Sequence, residues 1–238
     1  MVLDALRFTT PLYTLAEAAR IVDVPASTLS AWVRPPRPAP RRDSAVYDAL
    51  VSCSVASERR EPSITFVGLA EALVLSAIRR SGVPMQRIRP AIVQLEREIG
   101  VAHALASRQL YTDGAELMFD FAQQHRDTPA GIGVMDLVVL RNSQRVFADV
   151  ITGYLRRIEY GADNYPVLIR PPAYVDAEVI VDPRRAFGAP IFERGGARVE
   201  DVLQRFWTGE SIGELTQEFG VPADQLEDVL RVASRRAA

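Results

Sequence analysis

The 238-residue chain contains no lysine. All 28 of its basic residues are arginine, set against 30 carboxylates, for a net charge of −2. Arginine suits planar, bidentate recognition of phosphate and carboxylate, but GC-rich codon usage produces the same bias and is the simpler account of it. With so small a net charge, any affinity for nucleic acid must come from a local patch. Cysteine is reduced to Cys53, so an internal disulfide and a multi-thiolate metal cluster within one chain are excluded. His103 and His125 are the only histidines. No apolar run approaches the ~20 residues of a membrane span, and no basic-then-apolar leader opens the chain, so the expected location is cytoplasmic. Also missing are a Gly-rich phosphate loop, a Cys-x-x-Cys pair and a Gly-x-Ser-x-Gly elbow. Cys53 falls in an expected strand with no histidine nearby in sequence, which suits a buried, inert thiol rather than a nucleophile. No catalytic residue, metal ligand or cofactor is therefore expected. The 48% hydrophobic and 24% charged residues are those of a globular chain with a real core.

What is present begins at Tyr13 to Arg34. Thr14 caps a helix and Glu17 completes a capping box. Leu15, Ala18, Ala19 and Val22 share a face at helical spacing. Asp23-Val24-Pro25 interrupts the pattern, and Pro25 suits the start of a second helix. Leu29, Trp32 and Val33 form that helix's apolar side and leave Ser27, Ser30, Ala31 and Arg34 outward. Two short helices joined by a tight turn, with alanines at the crossing, meet the requirements of a helix-turn-helix. Next come four prolines between 35 and 40 and arginines at 37, 41 and 42. The segment is stiff and extended; its arginines either follow a phosphate backbone or minor groove or decorate a solvated linker.

Ala45 to Tyr47, Val51 to Val55 and Ile64 to Phe66 are rich in β formers and read as a wing hairpin. Helices are expected over Val67–Arg80, with Leu69, Leu73, Val74 and Ile78 inward, and over Pro84–Ile99, containing Pro90 and ended by Gly100. Leu110 to Phe121, split by Asp113-Gly114, reads as a hairpin. Residues 126 to 133 read as a flexible break. Leu137–Leu140 is an expected strand, Asn142–Arg145 a turn or helix start and Phe147–Arg156 a short helix. Ile158–Tyr160 and Val167–Ile169 read as paired strands. Beyond Pro171-Pro172, an extended Val179–Phe192 leads into three amphipathic helices: Val199–Trp207, Ile212–Phe219 capped by Ser211, and one opened by Pro222 that runs to about Ser234.

Leu15–Arg34 and Ile212–Arg231 align without a gap, pairing Glu17 with Glu214, Pro25 with Pro222 and Leu29 with Leu226. The second copy carries Asp224, Glu227 and Asp228, which would repel phosphates, so it reads as a protein-binding or dimerising unit.

Tyr13-Thr14, Glu17-Ala18-Ala19, Val24, Thr28-Leu29 and Trp32 resemble the first helices of MerR-type winged helix-turn-helix proteins, whose second helix enters the major groove. Ser30 stands where that family commonly has arginine, and the family's long coiled-coil helix is missing. The run Asp182-Pro183, Phe187 to Ile191, Gly209 to Leu215 and Phe219-Gly220-Val221 resembles a small bacterial domain found as the antitoxin partner of PIN-like ribonuclease toxins. VapB-type antitoxins of VapBC systems with a MerR-like N-terminus are similar over almost the whole chain, including Arg79 to Val83, Gln86 to Arg89 and Leu110 to Gly114.

The resemblance implies a mainly helical α+β fold in three units: a MerR-like DNA-binding unit with a second helix pair (1–125), a connecting β/α region (126–178) and a helical antitoxin domain (179–238). It implies an antitoxin that binds a PIN-type ribonuclease toxin and represses its own promoter, with no catalytic activity of its own. Candidate DNA contacts are Ser27, Thr28, Ser30, Arg34, Arg37, Arg41 and Arg42. Candidate toxin contacts, suited to neutralising a carboxylate-lined metal site, are Arg184, Arg185, Arg194 and Arg198. A homodimer is expected because one short helix reads too little sequence. Two alternatives stay open. One is a stand-alone MerR-like regulator that senses a small molecule among Tyr111, Phe119, Phe121, Phe147, Tyr154, Tyr160 and Tyr165; the other is an adaptor that binds only protein.

Overall fold

The computed structural model describes residues 4–33, 49–54, 61–141 and 144–237. A short turn of π-helix at Ala5–Thr9 precedes α1 (Leu15–Ile21) and α2 (Ala26–Val33). Then come α3 (Phe66–Arg80), α4 (Met85–Ile99), α5 (Arg108–Gln124), α6 (Pro129–Met135), β1 (Val138–Arg141), β2 (Gln144–Phe147) and α7 (Asp149–Leu155). The chain continues through β3 (Ile158–Tyr160), β4 (Pro166–Ile169), β5 (Val179–Ile180) and β6 (Ile191–Phe192) to α8 (Val199–Trp207), α9 (Ile212–Phe219) and α10 (Ala223–Ala237). The fold is mainly helical α+β, as expected. The strands pair as antiparallel hairpins β1–β2, β3–β4 and β5–β6, and an Ile169–Val181 bridge joins the second hairpin to the third.

Helix α3 is the centre. Every residue from Phe66 to Ile78 is buried, where a single inward stripe was expected. Alanines at 70, 72 and 77 let neighbours approach on every side, and a helix apolar all round belongs in a core. Its two buried polar residues are occupied. The Ser76 hydroxyl donates to the Val22 carbonyl at 3.0 Å. The Glu71 carboxylate accepts the Ser52 N–H at 2.6 Å and the Ser52 hydroxyl at 3.0 Å, and lies 3.0 Å from His103 Nδ1. That hydrogen bond to Glu71 outweighs desolvation and holds the His103 pKa above its ordinary value.

Four expectations need correction. Residues 110–121 form no hairpin; they lie inside α5. Leu110, Ala115, Met118 and Ala122 are buried at helical spacing, and that periodicity overrides the Asp113-Gly114 turn signal. Gly114 is there for space, since a Cβ would fall 2.9 Å from Leu110 Cδ1 and 3.1 Å from Phe147 Cζ. Residues 129–135 form α6 rather than a break: the Thr128 hydroxyl accepts the Gly131 N–H at 3.1 Å, and proline opens the helix. The glycines again serve close approach, a Cβ at Gly131 meeting the His125 carbonyl oxygen at 2.1 Å. Phe66 begins α3 instead of ending a strand, and Ile64 makes only isolated bridges to Tyr13 and Cys53. Residues 45–48 and 55 of the expected wing lie outside the described residues. Cys53 is exposed, not buried; partial desolvation and the Glu71 charge push its thiol pKa up, so it stays protonated.

The C-terminal helices have their own core. Val199, Val202, Leu215, Val221, Leu226, Val229 and Val232 pack with Tyr174, Ala177, Val179 and Phe192, whereas residues from Tyr13 to Val181 share the larger one.

Candidate functional site

The front helix pair is built as its sequence requires. The Thr14 side chain accepts the Glu17 N–H at 3.2 Å, and the Glu17 carboxylate accepts the Thr14 N–H at 2.8 Å. Ala18, Ala19, Leu29 and Trp32 are buried at the crossing. Asp23 turns the chain in the left-handed region, φ 57°, and Arg80 holds that turn through both the Asp23 carbonyl and its carboxylate. On the outer side of α2, Ser27 and Ala31 are exposed and Thr28 and Ser30 half-buried. The Thr28 hydroxyl accepts a hydrogen bond from Arg79, which carries an exposed guanidinium onto that face. Arg34, Arg37, Arg41 and Arg42 lie outside the described residues.

The rear pair, α9 and α10, repeats the design. Ser211 and Glu214 close the same capping box, and Gly220, φ 64°, makes the left-handed turn. Its outward face differs from the expected one. Asp224 and Glu227 are exposed, but Asp228 is 1% exposed and accepts backbone N–H bonds from Val175, Asp176 and Ala177 at 2.9, 3.0 and 3.1 Å. Gln225 accepts the Glu178 N–H at 3.2 Å. The Gln225–Asp228 side of this copy's second helix is therefore covered by residues 175–178 of its own chain.

The four C-terminal candidate arginines are not equivalent. Arg184 is held by buried Asp182, Nε at 3.1 Å and Nη2 at 3.0 Å. Arg198 faces Glu200 at 3.6 Å and Asp201 at 4.0 Å. Arg185 and Arg194 are exposed, and no ion pair joins either to a carboxylate among the described residues. Between α1 and α8 lies a cleft of about 870 Å³, lined on one side by Leu12, Tyr13 and Arg20 and on the other by Phe187, Leu203 and Trp207.

Residues 11–92 match the family described as "Putative DNA-binding HTH domain". The chain is 44% identical over 230 residues to "Putative antitoxin VapB45" of Mycobacterium tuberculosis, covering 94% of this chain and 95% of that protein. The chain belongs to the VapB-type antitoxin family. The crystal structure of Rv2018 from Mycobacterium tuberculosis superposes on this antitoxin with a TM-score of 0.83 at 42% identity, covering 94% of the antitoxin and 99% of that chain.

Three features of the antitoxin's surface depend on tertiary contacts: Arg79 of α3 laid against Thr28 of α2, the outward Phe187, and the cleft. In sequence Arg79 stands out only as part of the run Arg79 to Val83, because its target, Thr28, is 51 positions away. Of the aromatics that the small-molecule alternative would need around a pocket, Phe121 and Phe147 are core residues. Among the described residues no cluster of three or more His, Cys, Asp or Glu is arranged to hold a metal, and no helix is long and apolar enough to cross a membrane.

Proposed function

We propose that this antitoxin neutralises a cognate PIN-type ribonuclease toxin by direct binding and represses its own operon by binding promoter DNA as a homodimer. The observation that carries the reading is the difference between the two helix pairs: the front α2 offers exposed Ser27 with Arg79 beside it, while the rear α10 is covered on one side by its own chain and exposes the carboxylates Asp224 and Glu227. In this reading residues 1–125 bind DNA, 126–178 connect, and 179–238 bind toxin. DNA contacts come from Ser27, Thr28, Ser30, Arg34, Arg37, Arg41 and Arg42, with Arg79 added. Of the toxin-facing arginines, Arg185 and Arg194 are best placed to meet toxin carboxylates, because Arg184 is already paired with Asp182 and Arg198 shares charge with Glu200.

Mobility shifts on the upstream DNA at two salt concentrations test the first half, since phosphate contacts make affinity fall steeply with salt. Inhibition of the neighbouring reading frame's ribonuclease tests the second. Salt-independent or absent DNA binding removes the repressor reading. Full inhibition by an Arg185→Ala, Arg194→Ala double variant removes the arginine assignment.

A further inference from the structure

We propose that the cleft between α1 and α8 is a protein-docking site, in which Phe187 and Trp207 anchor an acidic segment with apolar side chains from the toxin. The proposal rests on the toxin-binding reading above and names its contact surface.

Phe187 is 82% exposed and Trp207 63% exposed, and both line the same cleft. Large aromatics left in water beside a concave surface are the usual anchors of protein interfaces. The backbone presents Phe187 at a conformational cost. Ala186, Phe187 and Gly188 are successive residues in the left-handed region, with φ of 46°, 51° and 77°, a conformation that non-glycine residues adopt reluctantly. Gly188 has no alternative, because a Cβ there would meet the Tyr13 hydroxyl at 2.3 Å. The turn thus packs down on the Tyr13 ring and turns Phe187 outward.

Charge chooses the occupant. The Arg236 guanidinium donates to the Arg20 carbonyl at 2.8 Å, which gathers two arginines at the cleft, and neither forms an ion pair with a carboxylate among the described residues. Glu17, on the same wall, is committed to its capping box. Arg198 and Glu200, on the opposite wall, face each other at 3.6 Å, so the charge left over in the lining is cationic and the complementary segment is acidic. A small molecule that filled the cleft would leave the outer face of Phe187 wet. A second copy docked by two-fold symmetry would set Arg20 and Arg236 against the same cationic patch.

The test is the affinity of the full-length chain for the PIN-type product of the neighbouring reading frame, by calorimetry, with each variant's thermal midpoint measured alone. Phe187→Ala and Trp207→Ala are each expected to weaken binding roughly 30-fold, and Arg20→Glu to weaken it at low salt and flatten its salt dependence. Phe187→Gly relieves the left-handed residue, so it should leave the free chain's midpoint unchanged or higher while still weakening toxin binding. That opposition separates lost docking from lost folding. Unchanged toxin affinity in the aromatic variants overturns the proposal and leaves the toxin reading intact. A dimer-to-monomer shift in those variants with toxin affinity retained overturns it in favour of a self-interface. Failure of the unmodified chain to bind the toxin defeats both readings.

Discussion

Replacing Asp228 by alanine should unfold the C-terminal unit selectively. The carboxylate is buried and one of its oxygens receives three backbone N–H groups within 3.1 Å; the other lies 3.3 Å from Arg231. Hydrogen bonds to a charged group contribute about 1.5–3 kcal/mol each, and desolvating the carboxylate offsets part of that sum. Removing the acceptor leaves the donors without a partner, so Asp228→Ala should cost on the order of 3–5 kcal/mol, while Asp228→Asn, which keeps the shape and one acceptor oxygen, should cost about 1–2 kcal/mol. A domain's whole stability is only some 5–15 kcal/mol, so the alanine variant should melt this unit ahead of the larger core. Urea unfolding followed by Trp207 fluorescence, in a Trp32→Phe background, reports on it directly. The pH dependence supplies a second check. Burial alone would raise the Asp228 pKa, but the Ala177, Asp176 and Val175 N–H groups and Arg231 more than compensate, so its net position is below the ordinary value. A carboxyl lowered by folding stabilises above its unfolded pKa of about 3.9, and the contribution disappears as pH falls through the folded value. The gap between the parent chain and Asp228→Asn should be constant from pH 7 to about 5 and close in more acidic solution. An alanine variant within about 1 kcal/mol of the parent, or one no worse than asparagine, refutes the account.

Three further outcomes are expected. His103, whose pKa folding raises by its hydrogen bond to Glu71, stabilises most below about pH 6.5 and loses that contribution as pH rises through its folded value; His103→Asn, tolerant of the left-handed backbone there, should flatten the stability–pH curve in denaturant melts. Ser30→Arg should tighten promoter binding and steepen the log-affinity against log-salt slope by about 1; an unchanged slope would place α2 away from the phosphates. Gly114→Ala should cost about 1–3 kcal/mol in denaturant melts, because the added Cβ would meet Leu110 Cδ1 at 2.9 Å and Phe147 Cζ at 3.1 Å and overpacking outweighs a helix-propensity gain of about 1 kcal/mol; a variant as stable as the parent would show that the site has room for a methyl group.

The legible parts of this fold are those governed by local chemistry. Both capping boxes, the helix pairs, β3–β4 and the boundaries of α8 and α9 follow from caps, prolines and apolar spacing within about 20 residues. The misread parts are glycine-rich stretches whose meaning is tertiary. Gly114 and Gly131 carry turn or flexibility signals in one dimension, yet each sits where another element leaves no room for a Cβ. The same holds at the candidate site. Ser27 outward and Leu29 inward follow from helical period, but the contact between Arg79 and Thr28, the outward Phe187 and the inward Asp228 each depend on partners far along the chain.

The two helix pairs show how one local design yields different surfaces. Their helices begin at equivalent positions, Leu15 with Ile212 and Ala26 with Ala223, their caps are Thr14 and Ser211, and their left-handed residues, Asp23 and Gly220, also correspond. They part at Ala31 and its counterpart Asp228. Alanine offers no hydrogen-bond acceptor, and that side of α2 stays open to solvent; aspartate captures three consecutive backbone donors, and residues 175–177 close over α10. Charge repulsion was the expected reason that the rear pair is unsuited to DNA; exposed Asp224 and Glu227 still supply it, but Asp228 faces inward and adds nothing at the surface. Occupation by its own chain is a second physical reason, because it closes the Gln225–Asp228 side of α10 and does so at any salt concentration.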